Sequence, residues 1–156
     1  MAASLQLFLT GGSGNSDPNA SLGGVRSSTQ VSGTAMNNLF DNVTPAEASA
    51  GDIEYRAIDI YNNGDAAAES IQAYLDPETT SEDTEIDLGL DSTTQTVGNE
   101  STAPTDVTFA HYTSSSKLSI SNIAASGAQR LWLRRTVSSS AGNLANDSCT
   151  LKIEFA

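Results

Sequence analysis

Apolar side chains recur at every second position in four short stretches of the chain, 71–75, 85–90, 131–134 and 149–155. A period of two puts the apolar side chains on one face of an extended strand and the polar ones on the other. Each stretch is therefore predicted to be a half-buried β-strand. In the last stretch, Cys149 falls on the face that we expect to point into the core.

Other runs are rich in β-forming residues without strict alternation. Residues 5–9 are short and apolar, and 53–61 form a longer run that ends in the turn-forming residues 62–65 and is predicted to be a central strand. Shorter candidates lie at 107–110 and 118–120. About eight strands and no amphipathic helix of ten residues predict an all-β fold, an antiparallel β-sandwich. Immunoglobulin-like and jelly-roll connectivities both fit this pattern.

The first 51 residues differ in composition from the rest of the chain. Turn-forming residues fill 11–19, and small and polar residues dominate 20–51, where apolar residues are isolated. We predict one domain, with an N-terminal strand and extended arm over 1–51 and the sandwich body over 52–156. Because the arm has too few apolar residues for a core of its own, we expect it to become ordered on neighbouring subunits.

The charge of the 156-residue chain narrows the functions open to it. Nineteen acidic residues against seven Lys and Arg give a formal net charge of −12. The resulting field repels the phosphates of nucleic acids and anionic membrane surfaces, so we expect neither as a partner. We also expect no membrane span and no secretory signal. Cys149 is the only cysteine, so no disulfide can form within the chain.

Acidic residues are densest between 76 and 91, where oxygen ligands for a hard cation are plentiful. This acidic stretch consists of Asp76, Glu78, Glu82, Asp83, Glu85, Asp87 and Asp91. It lacks the loop signature of a calcium hand, and Glu85 and Asp87 share the polar face of one predicted strand. We therefore expect a solvated face and no bound metal. A hydrolase that used this carboxylate pair would lose its activity on replacement of Glu85 or Asp87.

His111 is the only histidine and lies at the end of a predicted strand. Serine hydrolysis would need it as a base, but no G-x-S-x-G elbow accompanies it. We therefore expect an ordinary strand-end residue, no enzyme activity and no cofactor.

Arg130, Arg134 and Arg135 surround Trp132, the residue types favoured at interface hot spots. Two interpretations stand side by side. Either this patch contacts a partner, or the arginines pair with carboxylates of the same chain while Trp132 covers a second core face. The candidate interface residues, from the arm and this patch, are Leu7, Leu9, Leu22, Val25, Arg26, Leu39, Phe40, Trp132, Arg134 and Arg135.

Several sequence stretches of this chain form a recognisable set: 7–12 (LFLTGG) with 17–24 (DPNASLGG), 51–56 (GDIEYR) leading to 61–63 (YNN), 85–90 (EIDLGL) and 131–137 (LWLRRTV). Taken together, they resemble a group of tailed-bacteriophage virion proteins. In that group a Ser-Gly-rich lead-in precedes a Tyr-Arg strand ending in Asn, an acidic strand and a late Trp-x-Arg-Arg strand. None of these motifs is a reactive site.

The resemblance implies a structural protein of the phage particle, similar to head decoration proteins that cement capsid subunits. It implies binding to the major capsid protein or other virion proteins on the outer surface of the capsid, with neck and tail as other locations. By family analogy it also implies a homo-oligomer, a trimer being one candidate. The alternative is a carbohydrate- or receptor-binding module of a phage tail or surface appendage, in which Trp132 would stack on a sugar.

Overall fold

The computed structural model describes residues 2–81 and 83–156. Seven strands lie within these residues: β1 (Leu5–Leu9), β2 (Asp52–Asn62), β3 (Ile71–Glu78), β4 (Thr84–Asp91), β5 (Leu118–Ile120), β6 (Ala128–Val137) and β7 (Cys149–Glu154). A 3₁₀ turn at Pro18–Ala20 and helix α1 at Pro45–Ala50 precede β2. Neither helical segment is long and apolar enough to cross a membrane.

The strands form two antiparallel sheets packed against each other. The larger sheet has the order β1-β2-β6-β4, and the smaller one has the order β5-β3-β7. β2 and β6 are the central strands of the larger sheet and pair in one register, from Asp52 opposite Val137 to Tyr61 opposite Ala128. The antiparallel sandwich predicted from the alternation is confirmed, and the run 53–61 is a central strand as expected.

The facing sides of the two sheets share one apolar core. The alternate positions of the strands supply it, as the period of two requires. Its fully buried strand residues include Ile58, Ile60, Ile71, Ala73, Leu75, Leu88 and Leu131. Leu151 and Ile153 of β7 pack at its margin.

The outer face of the larger sheet carries a second apolar cluster, centred on Trp132. Loop residues near Leu22 and from Val97 to Phe109 lie over this face and cover Trp132, Tyr55 and Ala57. The middle of the larger sheet is therefore buried on both sides. This accounts for β2, in which seven consecutive residues from Glu54 to Ile60 are buried.

The structure does not confirm an extended arm. Beyond β1, residues 10–31 lie along the edge and outer face of the larger sheet. The Ser27 amide donates to the Leu9 carbonyl at 2.8 Å, and the Val31 amide donates to the Leu7 carbonyl at 2.9 Å. Buried hydroxyls supply further contacts, since Ser21 Oγ donates to the Ala57 carbonyl at 2.6 Å. Hydrogen bonds thus order a segment that has too few apolar residues to bury.

Two local expectations were wrong. Residues 107–110 form no strand, because only Ala110 bridges Leu88, at the edge of β4 that faces away from β6. Cys149 is exposed instead of core-facing, since it lies at the very start of β7, beyond the apolar core that Leu151 and Ile153 reach.

Gly23 tests whether the lead-in segment, residues 10–51, is folded onto the body. It has φ +96°, and a Cβ there would collide with the Gln95 carbonyl oxygen in the loop that covers Trp132. We expect Gly23→Ala to lower the free energy of unfolding by about 1–3 kcal/mol, measured by urea denaturation.

The matched control is Gly33→Ala, because a Cβ at Gly33 meets nothing within 4 Å. It should leave stability unchanged or raise it by about 0.4–1 kcal/mol. Equal stabilities for the two variants would mean that the segment is not packed against the body in solution.

Candidate functional site

The arginines of β6 are paired with carboxylates of the same chain. On the outer face of the larger sheet, Arg130 Nε lies 2.6 Å from Asp59 Oδ1. Farther along the strand, Arg134 Nη2 lies 2.5 Å from Asp87 Oδ2. Both carboxylates are buried, so each guanidinium meets a desolvated partner.

Trp132 lies between these two pairs and is 0% exposed. Its indole Nε1 donates to Asp91 Oδ2 at 2.9 Å, which satisfies its one polar group. Stacking of Trp132 on a sugar is therefore wrong, because the ring has no exposed face. The second interpretation describes what the structure contains: Trp132 covers a second core face, and the arginines pair within the chain.

A second buried ion cluster lies on the inner face at the opposite end of the core. Arg135 Nε donates to Glu54 Oε2 at 2.5 Å, and Arg56 Nη2 donates to Glu100 Oε2 at 2.6 Å. The Phe40 ring lies near both guanidinium groups, at 5.3 Å from Arg56 and 5.1 Å from Arg135. Burial raises the pKa of Glu54, although Arg135 and Arg56 act in the opposite direction.

The ten candidate interface residues therefore differ widely in accessibility. Leu9, Leu39, Trp132 and Arg135 are buried, Leu7, Leu22, Arg26, Phe40 and Arg134 are half-buried, and Val25 is exposed. The guanidinium of Arg26 stacks over the rings of Phe8 and Tyr61, at 4.7 and 3.9 Å from their centroids. Val25, at 66% exposure, is the member of the set best placed to contact another molecule.

His111 joins the two sheets at one open side of the sandwich. Its Nδ1 lies 2.9 Å from the Ile86 carbonyl oxygen of β4, and its Nε2 lies 3.1 Å from Glu78 Oε2 of β3. The ring opens onto a cleft of about 190 Å³. The cleft is lined by Glu78, Thr79, Thr80, Ser81, Thr84, Glu85 and His111.

The surroundings of His111 favour its protonated form. Burial alone would lower its pKa, but the hydrogen bond to Ile86 and the negative charges of Glu78, Glu85 and Asp87 outweigh this, so the pKa is raised. The imidazolium is then the partner of Glu78 in an ion pair that links the sheets.

The chemical capacity of this cluster is limited to charge pairing and cation binding. Ligand atoms of Glu85, Asp87 and His111 lie within 4.8 Å of one another, close enough to approach one divalent ion. Asp87 is already bound by Arg134, however, and His111 by Glu78. Among the described residues no hydroxyl is hydrogen-bonded to His111, so no nucleophile–base pair is assembled there.

The acidic stretch is not the uniformly solvated face that we expected. Asp87 and Asp91 are buried, because the 92–110 segment covers the outer face of β4, whereas Glu85 is exposed. Glu82 lies outside the described residues.

Sequence reasoning missed the partners of the arginines, although a signal was present. Asp87 and Asp91 are four residues apart in β4, and Arg130 and Arg134 are four apart in β6. Equal spacing allows both pairs to lie opposite each other in one antiparallel register, and the structure has Asp87 opposite Arg134 and Asp91 opposite Arg130. Only the first pair forms an ion pair, because Arg130 binds Asp59 and Asp91 accepts from Trp132.

No protein-family model, curated protein or solved structure matches this chain.

The single histidine permits a direct test of the ion pair between the sheets. The ring proton signals of His111 should titrate with a pKa above the ordinary value of about 6.5 in an NMR pH series. Glu78→Gln should lower that pKa, since it removes the nearest negative charge.

The same pair should make stability depend on pH. A folded-state pKa above the unfolded value gives stabilisation that is complete below the unfolded pKa and is lost as the pH rises through the folded pKa. The stability advantage of the wild type over His111→Gln should therefore shrink as the pH rises above about 6.5 and through the raised pKa of His111, measured in urea titrations. A difference independent of pH would contradict the ion pair.

The buried ion cluster should be sensitive to the loss of its anion. Glu54→Gln leaves two buried guanidinium groups without their shared carboxylate and should cost about 3–5 kcal/mol of unfolding free energy. Asp76→Asn is the control: it breaks the half-exposed pair with Lys152 and should cost less than about 1 kcal/mol. Similar losses in the two variants would contradict the special role of the buried pairs.

Proposed function

We propose that this chain is a structural component of a bacteriophage particle, a decoration protein that binds the outer surface of the head shell and stabilises it. The proposal starts from the virion-protein resemblance of the lead-in, the Tyr-Arg strand and the Trp-x-Arg-Arg strand. The observation that carries it is how the chain uses its positive charge.

Every lysine and arginine of the chain is engaged within the fold. Arg56, Arg130, Arg134, Arg135, Lys117 and Lys152 each pair with a carboxylate, and Arg26 stacks on two aromatic rings, which accounts for all seven. The surface charge that these pairs do not neutralise, and that a partner would meet, is therefore negative. Such a surface fits a protein partner with basic or neutral groups, here the major capsid protein, and opposes binding to nucleic acid.

The two-sheet body supports a binding role more than a catalytic one. Its lysine and arginine side chains are engaged within the fold, and among the described residues of the His111 cleft no nucleophile is hydrogen-bonded to a base. A rigid body of this kind gains affinity when many copies bind a repeating shell, because multivalent contacts add without new chemistry.

The exposed apolar side chains of the lead-in segment offer the first contact to examine. Val25 is 66% exposed and Met36 is 83% exposed. Backbone hydrogen bonds hold residues 10–31 against the body, and Arg56 and Arg135 bind the carbonyls of Leu39 and Asp41 on the other side of Met36. Burial of one such side chain at an interface is favourable by about 1.5–3 kcal/mol. We place the shell contact on this segment, in its folded form.

The test uses particles of the phage that encodes the chain. We expect the protein in purified virions at a stoichiometry set by the shell lattice, and cryo-microscopy should find its density on the outer surface. Particles that lack the gene should rebind the purified protein in a sedimentation assay. Absence of the protein from virions, or its presence only in infected cells, would eliminate the proposal.

Matched variants locate the contact. Val25→Asp combined with Met36→Asp should weaken rebinding to the particles by at least about tenfold, since two apolar contacts become charged. Leu144→Asp introduces charge at another exposed apolar residue, 48% exposed in a different loop, and should bind as the wild type does. If the double variant and Leu144→Asp lost rebinding equally, the shell contact would not lie on the lead-in segment. Binding to host cells instead of particles would favour the receptor-binding alternative.

A further inference from the structure

β7 leaves one edge of the smaller sheet without a neighbouring strand. It is the terminal strand in the order β5-β3-β7, and within the described residues its backbone hydrogen bonds run to the β3 side. The outer edges of β1 and β4 are covered, by Thr29 and Val31 on β1 and by Ala110 on β4. An open strand edge is a template for another strand.

The pattern of backbone bonds shows which residues face this open edge. Ala156 and Glu69 exchange both of their backbone bonds, at 2.8 and 3.1 Å, and the Thr79 amide donates to the Ser148 carbonyl at 2.8 Å. The even-numbered residues therefore point their N–H and C=O groups toward β3. Since successive residues of a strand point them to opposite sides, the odd-numbered residues 151, 153 and 155 point theirs outward.

We propose that two copies of this chain join through this edge, with β7 of one copy antiparallel to β7 of the other about a two-fold axis at Ile153. The two smaller sheets then become one continuous sheet of six strands. Such an isologous contact closes on itself, so it produces a dimer and no filament. The inference is independent of the assignment to a phage particle.

The side chains select this register over its neighbours. Centred on Ile153, it places Lys152 opposite Glu154 of the second copy twice, and Leu151 opposite Phe155 twice. Centring on Lys152 would put two lysines opposite each other, and centring on Glu154 would put two glutamates there. Opposite charges across a strand pair are stabilising and like charges are destabilising.

The local charge also favours this surface for a second copy. The two lysines of the chain, Lys117 and Lys152, both lie on the outer face of the smaller sheet, where they bind Glu154 at 2.6 Å and Asp76 at 2.9 Å. Two molecules of charge −12 repel each other least where their cations lie. Phe155 is 41% exposed beside this edge and would be covered in the dimer.

Sedimentation equilibrium of the full chain tests the register by charge reversal. Lys152→Glu places four carboxylates across the two-fold axis and should weaken dimerisation by at least about tenfold. Adding Glu154→Lys restores opposite charges and should recover most of the loss. Val25→Asp combined with Met36→Asp changes the net charge by the same amount but adds no charge to the strand pair at β7, so its dimerisation should stay within about threefold of the wild type.

Backbone chemistry tests the strand pairing itself. Because Cys149 is the only cysteine and begins β7, the full chain can be assembled by ligating residues 1–148 to a synthetic peptide of residues 149–156. N-methylation of Ile153 removes an amide that faces the open edge and should give a monomer whose circular dichroism matches the unmethylated ligated protein.

Three results would overturn the proposal. The first is a wild type that stays monomeric up to about 1 mM, a concentration at which even weak dimers form. The second is a trimer in place of a dimer. The third is assembly that survives both Lys152→Glu and N-methylation of Ile153. If N-methylation unfolds the chain, the charge-reversal series decides alone.

Discussion

The structure depends on arginines of β6 that are paired with buried carboxylates of the neighbouring strands. Three such pairs, with Asp59 and Glu54 of β2 and Asp87 of β4, tie β6 to its neighbours and flank both apolar clusters. A buried ion is tolerated only with a counterion in good geometry, because desolvation otherwise costs several kcal/mol. The pairs therefore constrain the register of the larger sheet: a slip of one residue would separate Arg134 from Asp87 and Arg130 from Asp59 together. Apolar burial drives collapse, and these charges specify which alignment is native.

The sequence predicted the strands better than the surfaces. Period-two alternation identified β3, β4, β6 and most of β7, since a sandwich core requires it locally. The polar side of that alternation was misinterpreted, because Asp87 and Asp91 lie on the face predicted to be solvated, and the 92–110 segment that follows β4 covers it. Alternation separates the two faces of a strand, yet it carries no information about a second layer. Trp132 was open to two interpretations for the same reason, and only tertiary structure distinguishes them.

The lead-in segment shows a related limit. A stretch poor in apolar residues looked unable to fold on its own chain, and we expected other subunits to order it. The hydroxyls of Ser21 and Thr10 instead donate to the Ala57 carbonyl of the body, and Ser27 Oγ donates to the Asn15 carbonyl within the segment. A composition rich in Ser, Thr and Gly thus supports order through hydrogen bonds. His111 was likewise expected to be an ordinary strand-end residue. Its partner Glu78 lies in a different sheet, and the sequence does not show that the two side chains meet.

The internal use of positive charge also bears on proteolysis. Trypsin cuts after lysine and arginine and needs several residues of extended, accessible chain around the bond. Arg56, Arg130 and Arg135 are buried in the central strands β2 and β6, so cleavage there requires the sheet itself to open. The rate of tryptic cleavage at these three arginines should thus follow the population of opened molecules. The central strands resist such enzymes as long as the larger sheet stays intact.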